Sequence, residues 1–128
     1  MFLKLFNQKR YVSEQSLKWS LKNQFEMNSK TLEQLHKLGI TNESRLKLQF
    51  FYCTNRSTKA RKLVNALEDL NYQVESVDKA AGDKMWIISG WTNEIKMDPK
   101  SVTNWTSLMN HLGYEYDCEF DGWGTYTN

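Results

Sequence analysis

From residue 45 onward, stretches of hydrophobic period two alternate with stretches of period about 3.6, and their order restricts the chain to few folds. Arg45 to Cys53 alternates, with Leu46, Leu48, Phe50 and Tyr52 in one phase and Lys47, Gln49 and Phe51 in the other. A helix follows from Asn55–Ser57 to Leu70, its stripe being Ala60, Leu63, Val64, Leu67 and Leu70. Asn71 is placed for a left-handed cap. Tyr72 to Val77 reads as strand, residues 80–83 as turn, and Met85 to Met97 as a long strand with a bulge expected at Gly90. Asp98-Pro99 is a helix start, with Asp as N-cap and Pro at the first helical position. Val102, Trp105, Met109 and Leu112 form that helix's stripe, and Gly113 is expected to close it. Tyr114 to Phe120 reads as the last strand.

The order is β-α-β-β-α-β, which predicts a ferredoxin-like α+β domain over residues 45–128: an antiparallel sheet with two helices on one face. Residues 1–44 read as a helical extension. A helix over 13–26 is capped by Ser13 and carries Leu17, Leu21 and Phe25 as its stripe, with Trp19 off it. A second helix spans 29–38, with Gly39 at the left-handed position after it and Ile40 folding back. Periodicity leaves open whether this extension covers the sheet, lies along an edge or projects.

One Pro and six Gly in 128 residues leave little room for linkers, so a single domain is expected. The apolar start is interrupted by Lys4 and followed by Lys9 and Arg10, so it makes no secretory h-region. No apolar run reaches the roughly 18 residues of a membrane span. Cys53 and Cys118 stand far apart with no CxxC partner, as expected of free thiols in a reducing cytoplasm. No cofactor or metal is expected. His36 and His111 lie near helix ends, with no nucleophile or carboxylate pattern beside them.

Charge is unevenly distributed. Residues 1–62 carry 13 Lys and Arg against 4 Asp and Glu, and residues 63–128 carry 4 against 11. Either the halves face each other and cancel, or the molecule has faces of opposite sign that steer charged partners.

The sharpest constellation lies at the end of the chain. Glu115, Asp117, Glu119 and Asp121 alternate with Tyr114, Tyr116, Cys118 and Phe120, which on a strand puts all four carboxylates on one face, about 7 Å apart. Such a row is either a solvated face neutralised by neighbouring Lys or Arg, or a docking row for a basic partner. It is too widely spaced to chelate one ion. Next comes Gly122-Trp123-Gly124, where the glycines imply a sharp bend or a close approach. Trp123 there either plugs the core or is an exposed anchor for a partner. A direct RNA-binding module is the alternative of another class. It would stack bases on Phe51, Trp86 or Trp91 and use the basic first half, although the glycine-containing signature of RNA-recognition domains is absent.

The stretch Tyr116-Asp117-Cys118-Glu119-Phe120-Asp121-Gly122-Trp123-Gly124-Thr125-Tyr126 resembles the family of regulators of ribonuclease E activity, type B. Leu46 to Tyr52, Leu67 to Tyr72 and Met97 to Trp105 add weaker support, and the resemblance spans roughly residues 28–127. It implies a ferredoxin-like fold and a non-enzymatic role, with a protein partner, an endoribonuclease, bound and inhibited or redirected by contact. It supplies no catalytic residues. The partner-binding set expected is Glu115, Asp117, Glu119, Asp121, Gly122, Trp123 and Gly124.

Overall fold

The computed structural model describes residues 10–80, 82 and 84–126. The elements in chain order are α1 (Glu14–Lys37), β1 (Arg45–Thr54), α2 (Ser57–Asp69), β2 (Gln73–Lys79), β3 (Trp86–Lys96), α3 (Pro99–Glu115) and β4 (Glu119–Gly124). The fold is α+β. All four strands join one antiparallel sheet in the order β2-β3-β1-β4.

Helix starts follow the capping chemistry legible in the sequence. Ser13 Oγ accepts from the Ser16 amide at 3.0 Å, and Asp98 Oδ2 accepts from the Ser101 amide at 3.1 Å ahead of Pro99. The three ends share one geometry. After α1, Gly39 takes φ +95° and Ile40 N–H returns to Leu35 O at 3.0 Å. After α2, Asn71 takes φ 65° and Tyr72 N–H returns to Leu67 O at 3.2 Å. After α3, Asp117 takes φ 59° and Cys118 N–H returns to Gly113 O at 2.8 Å. Each closes as a Schellman motif.

Two expectations about helices are corrected. The helices expected over 13–26 and 29–38 are one, because Met27-Asn28-Ser29 contains no residue that breaks a helix. Its buried positions are Asn28, Leu32 and Leu35, while Phe25 from the expected stripe is 59% exposed. Gly113 does not end α3. It is buried two residues before the helix end, where a Cβ would meet Cys118 O at 2.6 Å and Tyr52 Cε1 at 2.8 Å. The helix therefore runs on to Glu115, and the last strand begins at Glu119 rather than Tyr114.

The sheet has two unlike faces. Leu48, Phe50 and Tyr52 of β1, Ile88 of β3 and Phe120 of β4 point toward the helices and join Leu63, Leu67, Val102, Met109, Leu32 and Leu35 in one core. Tyr52 keeps its hydroxyl satisfied there by donating to Met109 O at 2.7 Å. Residues of the opposite phase, Gln49, Phe51 and Cys53 of β1 and Ile87, Ser89 and Trp91 of β3, lie on the other face, paired as Gln49 with Trp91, Phe51 with Ser89 and Cys53 with Ile87. Gly90 makes no bulge in β3. A Cβ on it would lie 2.3 Å from Gln73 O and 2.6 Å from Phe50 Cζ, so it is a point of close packing. Opposite it, β2 carries Glu75 as an extra residue between Val74 and Ser76, and β3 carries its own extra residue further on, between Trp91 and Glu94.

Candidate partner-binding surface

The four carboxylates expected in one row are not in one row. Glu115 is the last residue of α3 and is exposed. Asp117 sits in the left-handed turn after it. Only Glu119 and Asp121 reach β4, and Asp121 is itself a bulge residue, since Phe51 pairs with Gly122 and Tyr52 with Phe120. The row fails because α3 continues through the first half of what alternation alone presents as a strand.

Asp117 is an internal latch. Its carboxylate accepts from the Tyr11 amide at 2.9 Å, the Val12 amide at 2.7 Å and Lys59 Nζ at 2.6 Å. Arg10 lies 3.6 Å away, over the ring of Tyr114, and donates to Tyr114 O. Burial acts to raise the Asp117 pKa. The hydrogen bonds from Lys59, Tyr11 and Val12 outweigh it and hold the carboxyl below its usual range. Here the basic and acidic halves of the sequence do cancel, at the cost of removing Asp117 from any docking row.

Trp123 is no exposed anchor. It is half-buried, edge-on to Trp105 at 6.2 Å, and its Nε1–H donates to Asn28 Oδ1 at 2.9 Å. Asn28 also accepts from Gln24 Nε2 at 3.0 Å and donates to Thr106 Oγ1 at 2.9 Å. This network ties α1 to α3 and to β4. It places the N-terminal helix beside α3 rather than on the opposite face of the sheet. The sequence reading misses Asn28, although its phase with Leu32 and Leu35 is a signal for it.

The exposed chemistry gathers at the β4 rim. Cys53 Sγ lies 3.5 Å from Tyr11 Oη and 3.8 Å from Glu119 Oε1. The Tyr11 phenol is pushed up by burial, then by its hydrogen bond to Cys53, then by the charges of Glu119 and Asp121. Burial also raises the Cys53 thiol, with the same two carboxylates adding to it against the Tyr11 hydrogen bond. Buried Cys118 is pushed up to about 11, chiefly by desolvation. On the far side of β4, Glu119, Phe120 and Asp121 face Trp19, Ser20, Asn23 and Gln24 of α1 across a groove of about 200 Å³. Trp19 is 66% exposed there. Gly122, at φ +113°, and Gly124 have open space where a side chain would project.

Of the three rings considered for base stacking, Phe51 and Trp91 lie on the open face, and Tyr126 packs on Trp91 at 5.3 Å. Trp86 does not join them. It is on the helix side, with Lys79 Nζ 5.4 Å over its ring. Among the described residues no three His, Cys, Asp or Glu gather as metal ligands, and no helix is long and apolar enough to cross a membrane.

No curated protein matches the chain. A family model described as Regulator of ribonuclease activity B matches residues 25–125, which takes in the second half of α1 and the whole sheet. The match covers most of the chain, including Lys59, Asp117 and β4 but not the Arg10–Val12 side of the latch, and its description is that of a regulator. The chain belongs to the family of regulators of ribonuclease activity B.

Proposed function

We propose that this chain is a non-enzymatic, cytoplasmic regulator that binds an endoribonuclease of the ribonuclease E type and inhibits or redirects its cleavage by protein contact. The observation that carries the reading is the asymmetry of the sheet. Three helices pack toward one side of it, while the other side presents Phe51 in register with the Asp121–Gly122 bulge of the β4 rim and Trp91 in register with Gln49 and Gly124. Residues 45–128 are read as a ferredoxin-like unit presenting this surface, and residues 1–44 as an extension whose helix braces the β4 edge. Of the expected binding set, Glu119, Asp121, Gly122 and Gly124 remain as contact positions, Glu115 is peripheral, and Asp117 and Trp123 hold the fold. Trp19 takes the place of Trp123 as the exposed ring beside the acidic pair.

The test is capture of proteins from a lysate of the source organism by the tagged chain, at two salt concentrations and with or without nuclease treatment. Capture of a ribonuclease that survives nuclease supports protein contact. Capture that disappears with nuclease supports RNA binding instead. Charge reversal of the exposed rim, Glu119→Lys with Asp121→Lys, is expected to weaken ribonuclease capture about tenfold and leave unfolding unchanged. Unchanged capture removes the rim from the account.

A further inference from the structure

The open sheet face has a charge layout that selects one kind of occupant. Its floor is half-buried Phe51, half-buried Trp91 with exposed Tyr126 packed on it at 5.3 Å, buried Ser89 and the 40%-exposed Ile87. The edge strands carry its acidic groups: Glu119 and Asp121 on the β4 side, Glu75 and Asp78 on the β2 side. Gln49 reaches Glu75 at 3.5 Å across the face, which fixes the side to which Glu75 turns. Among the described strand residues, cations on this face lie at the other end. Lys47 stands opposite Glu94 in the register, Arg45 stands opposite Lys96, and Lys96 is paired with Glu43 at 3.3 Å. The shifts at Tyr11 and Cys53 agree, since Glu119 and Asp121 oppose a second negative charge in that corner.

Resting on the ribonuclease-regulator reading, we infer that this face takes an extended, arginine-bearing segment of the partner protein, with guanidinium groups stacked on Trp91 and Phe51 and paired to the carboxylates of the two rims. Aromatic faces attract cations, and a planar guanidinium both stacks and forks onto carboxylates, which a lysine ammonium does not. A nucleic-acid backbone would meet the same four carboxylates as repulsion. The size fits a short segment. Four strands leave three gaps of about 4.8 Å, so the rims lie about 14 Å apart. An extended chain at about 3.3 Å per residue crosses that in four or five residues. Alternate residues of such a segment face the sheet, so arginine at every second position would meet rim, floor and rim.

The test is fluorescence anisotropy of the full chain with a fluorescein-labelled peptide that alternates arginine and serine. The controls are the same peptide with glutamine for arginine, the lysine version, and a labelled single-stranded oligouridine. The arginine peptide is expected to bind, the glutamine peptide not, and the lysine peptide more weakly. Trp91→Ala is expected to weaken binding about tenfold, and Glu119→Gln with Asp121→Asn by a similar factor. The paired carboxamide variant keeps side-chain volume, so it remains informative should Trp91→Ala disturb the sheet. The inference is overturned by absent arginine-peptide binding, by preference for oligouridine, or by insensitivity to both variants. A solution dimer lost in Trp91→Ala also overturns it, since a second copy is then the occupant. Ribonuclease capture that persists in Trp91→Ala retains the regulator reading and removes this face. Arginine-peptide binding without ribonuclease capture does the reverse.

Discussion

Lys59 Nζ lies 2.6 Å from Asp117 Oδ2, joining the basic first half of the chain to the acidic second half at the turn that starts β4. Asp117 holds a left-handed backbone, φ 59°, that glycine adopts most easily. What keeps aspartate there is its side chain, which accepts from two backbone amides and from Lys59. Asp117→Ala is expected to lower stability by about 2–3 kcal/mol, since hydrogen bonds to charged groups are lost and the left-handed strain remains. Asp117→Gly relieves the strain and is expected to cost less. Urea denaturation of the pair checks the order.

The same latch sets a pH dependence. The folded-state pKa of Asp117 is depressed, with burial opposing the shift and the Lys59, Tyr11 and Val12 hydrogen bonds overcoming it. A depressed carboxylate contributes stability that is present above its unfolded value, about pH 4, and is lost as pH falls through the folded value. Asp98 shifts the same way through its hydrogen bonds to Ser101. Melting temperature is therefore expected to fall as pH drops below about 4, less steeply in Asp117→Asn. Equal slopes in the two proteins would show that Asp117 is not the titrating group.

Gly113 offers a test in which packing and helix propensity pull in opposite directions. In the interior of an exposed helix, Gly→Ala stabilises by about 1 kcal/mol. At Gly113 the new Cβ would come within 2.6 Å of a backbone oxygen, Cys118 O, which belongs to the turn that launches β4. Gly113→Ala is expected to destabilise by about 1–3 kcal/mol, the usual range for overpacking. A variant more stable than the parent would mean that the turn yields freely.

Asn28 is 2% exposed and links three elements through its side chain. Asn28→Ala strands the Trp123 indole N–H and removes a bond to Thr106, whose hydroxyl still donates to Thr103 O, and is expected to cost about 2–3 kcal/mol. Trp123→Phe keeps most of the ring but drops the donor, leaving the Asn28 carbonyl its bond from Gln24, and is expected to cost about 1 kcal/mol. A double-mutant cycle by thermal unfolding should give a coupling of at least about 0.5 kcal/mol.

Much of this fold is written locally. Asp98-Pro99, Ser13, Gly39 and Asn71 mark helix ends through chemistry within a few residues, and the stripe Ala60, Leu63 and Leu67 is buried as its spacing implies. The proposed binding surface is less legible, because its deciding contacts are distant in sequence. Tyr114 to Asp121 alternates well enough to pass for a strand. Its first half is helical because Gly113 packs on Tyr52 and Asp117 is held by Lys59, Tyr11 and Val12, none of them a sequence neighbour. The bulge at Glu75 turns an acidic side chain toward the open face, the bulge at Asp121 resets the phase so that Trp123 turns toward the helices, and a strict period of two reveals neither. One trace was available: Val74 and Val77, three positions apart, both turn toward the helices, which requires an extra residue between them.

Regulation by this chain is proposed to act on the enzyme and not on its RNA. The measurement that tests it most directly is ribonuclease cleavage of a fluorogenic RNA, followed while this chain is titrated at several RNA concentrations and one enzyme concentration. The account predicts that cleavage slows or shifts at a ratio set by the enzyme, unchanged when RNA is in large excess, and that Glu119→Lys with Asp121→Lys abolishes the effect. An effect that scales with RNA concentration, or that the charge-reversed variant retains in full, would contradict it.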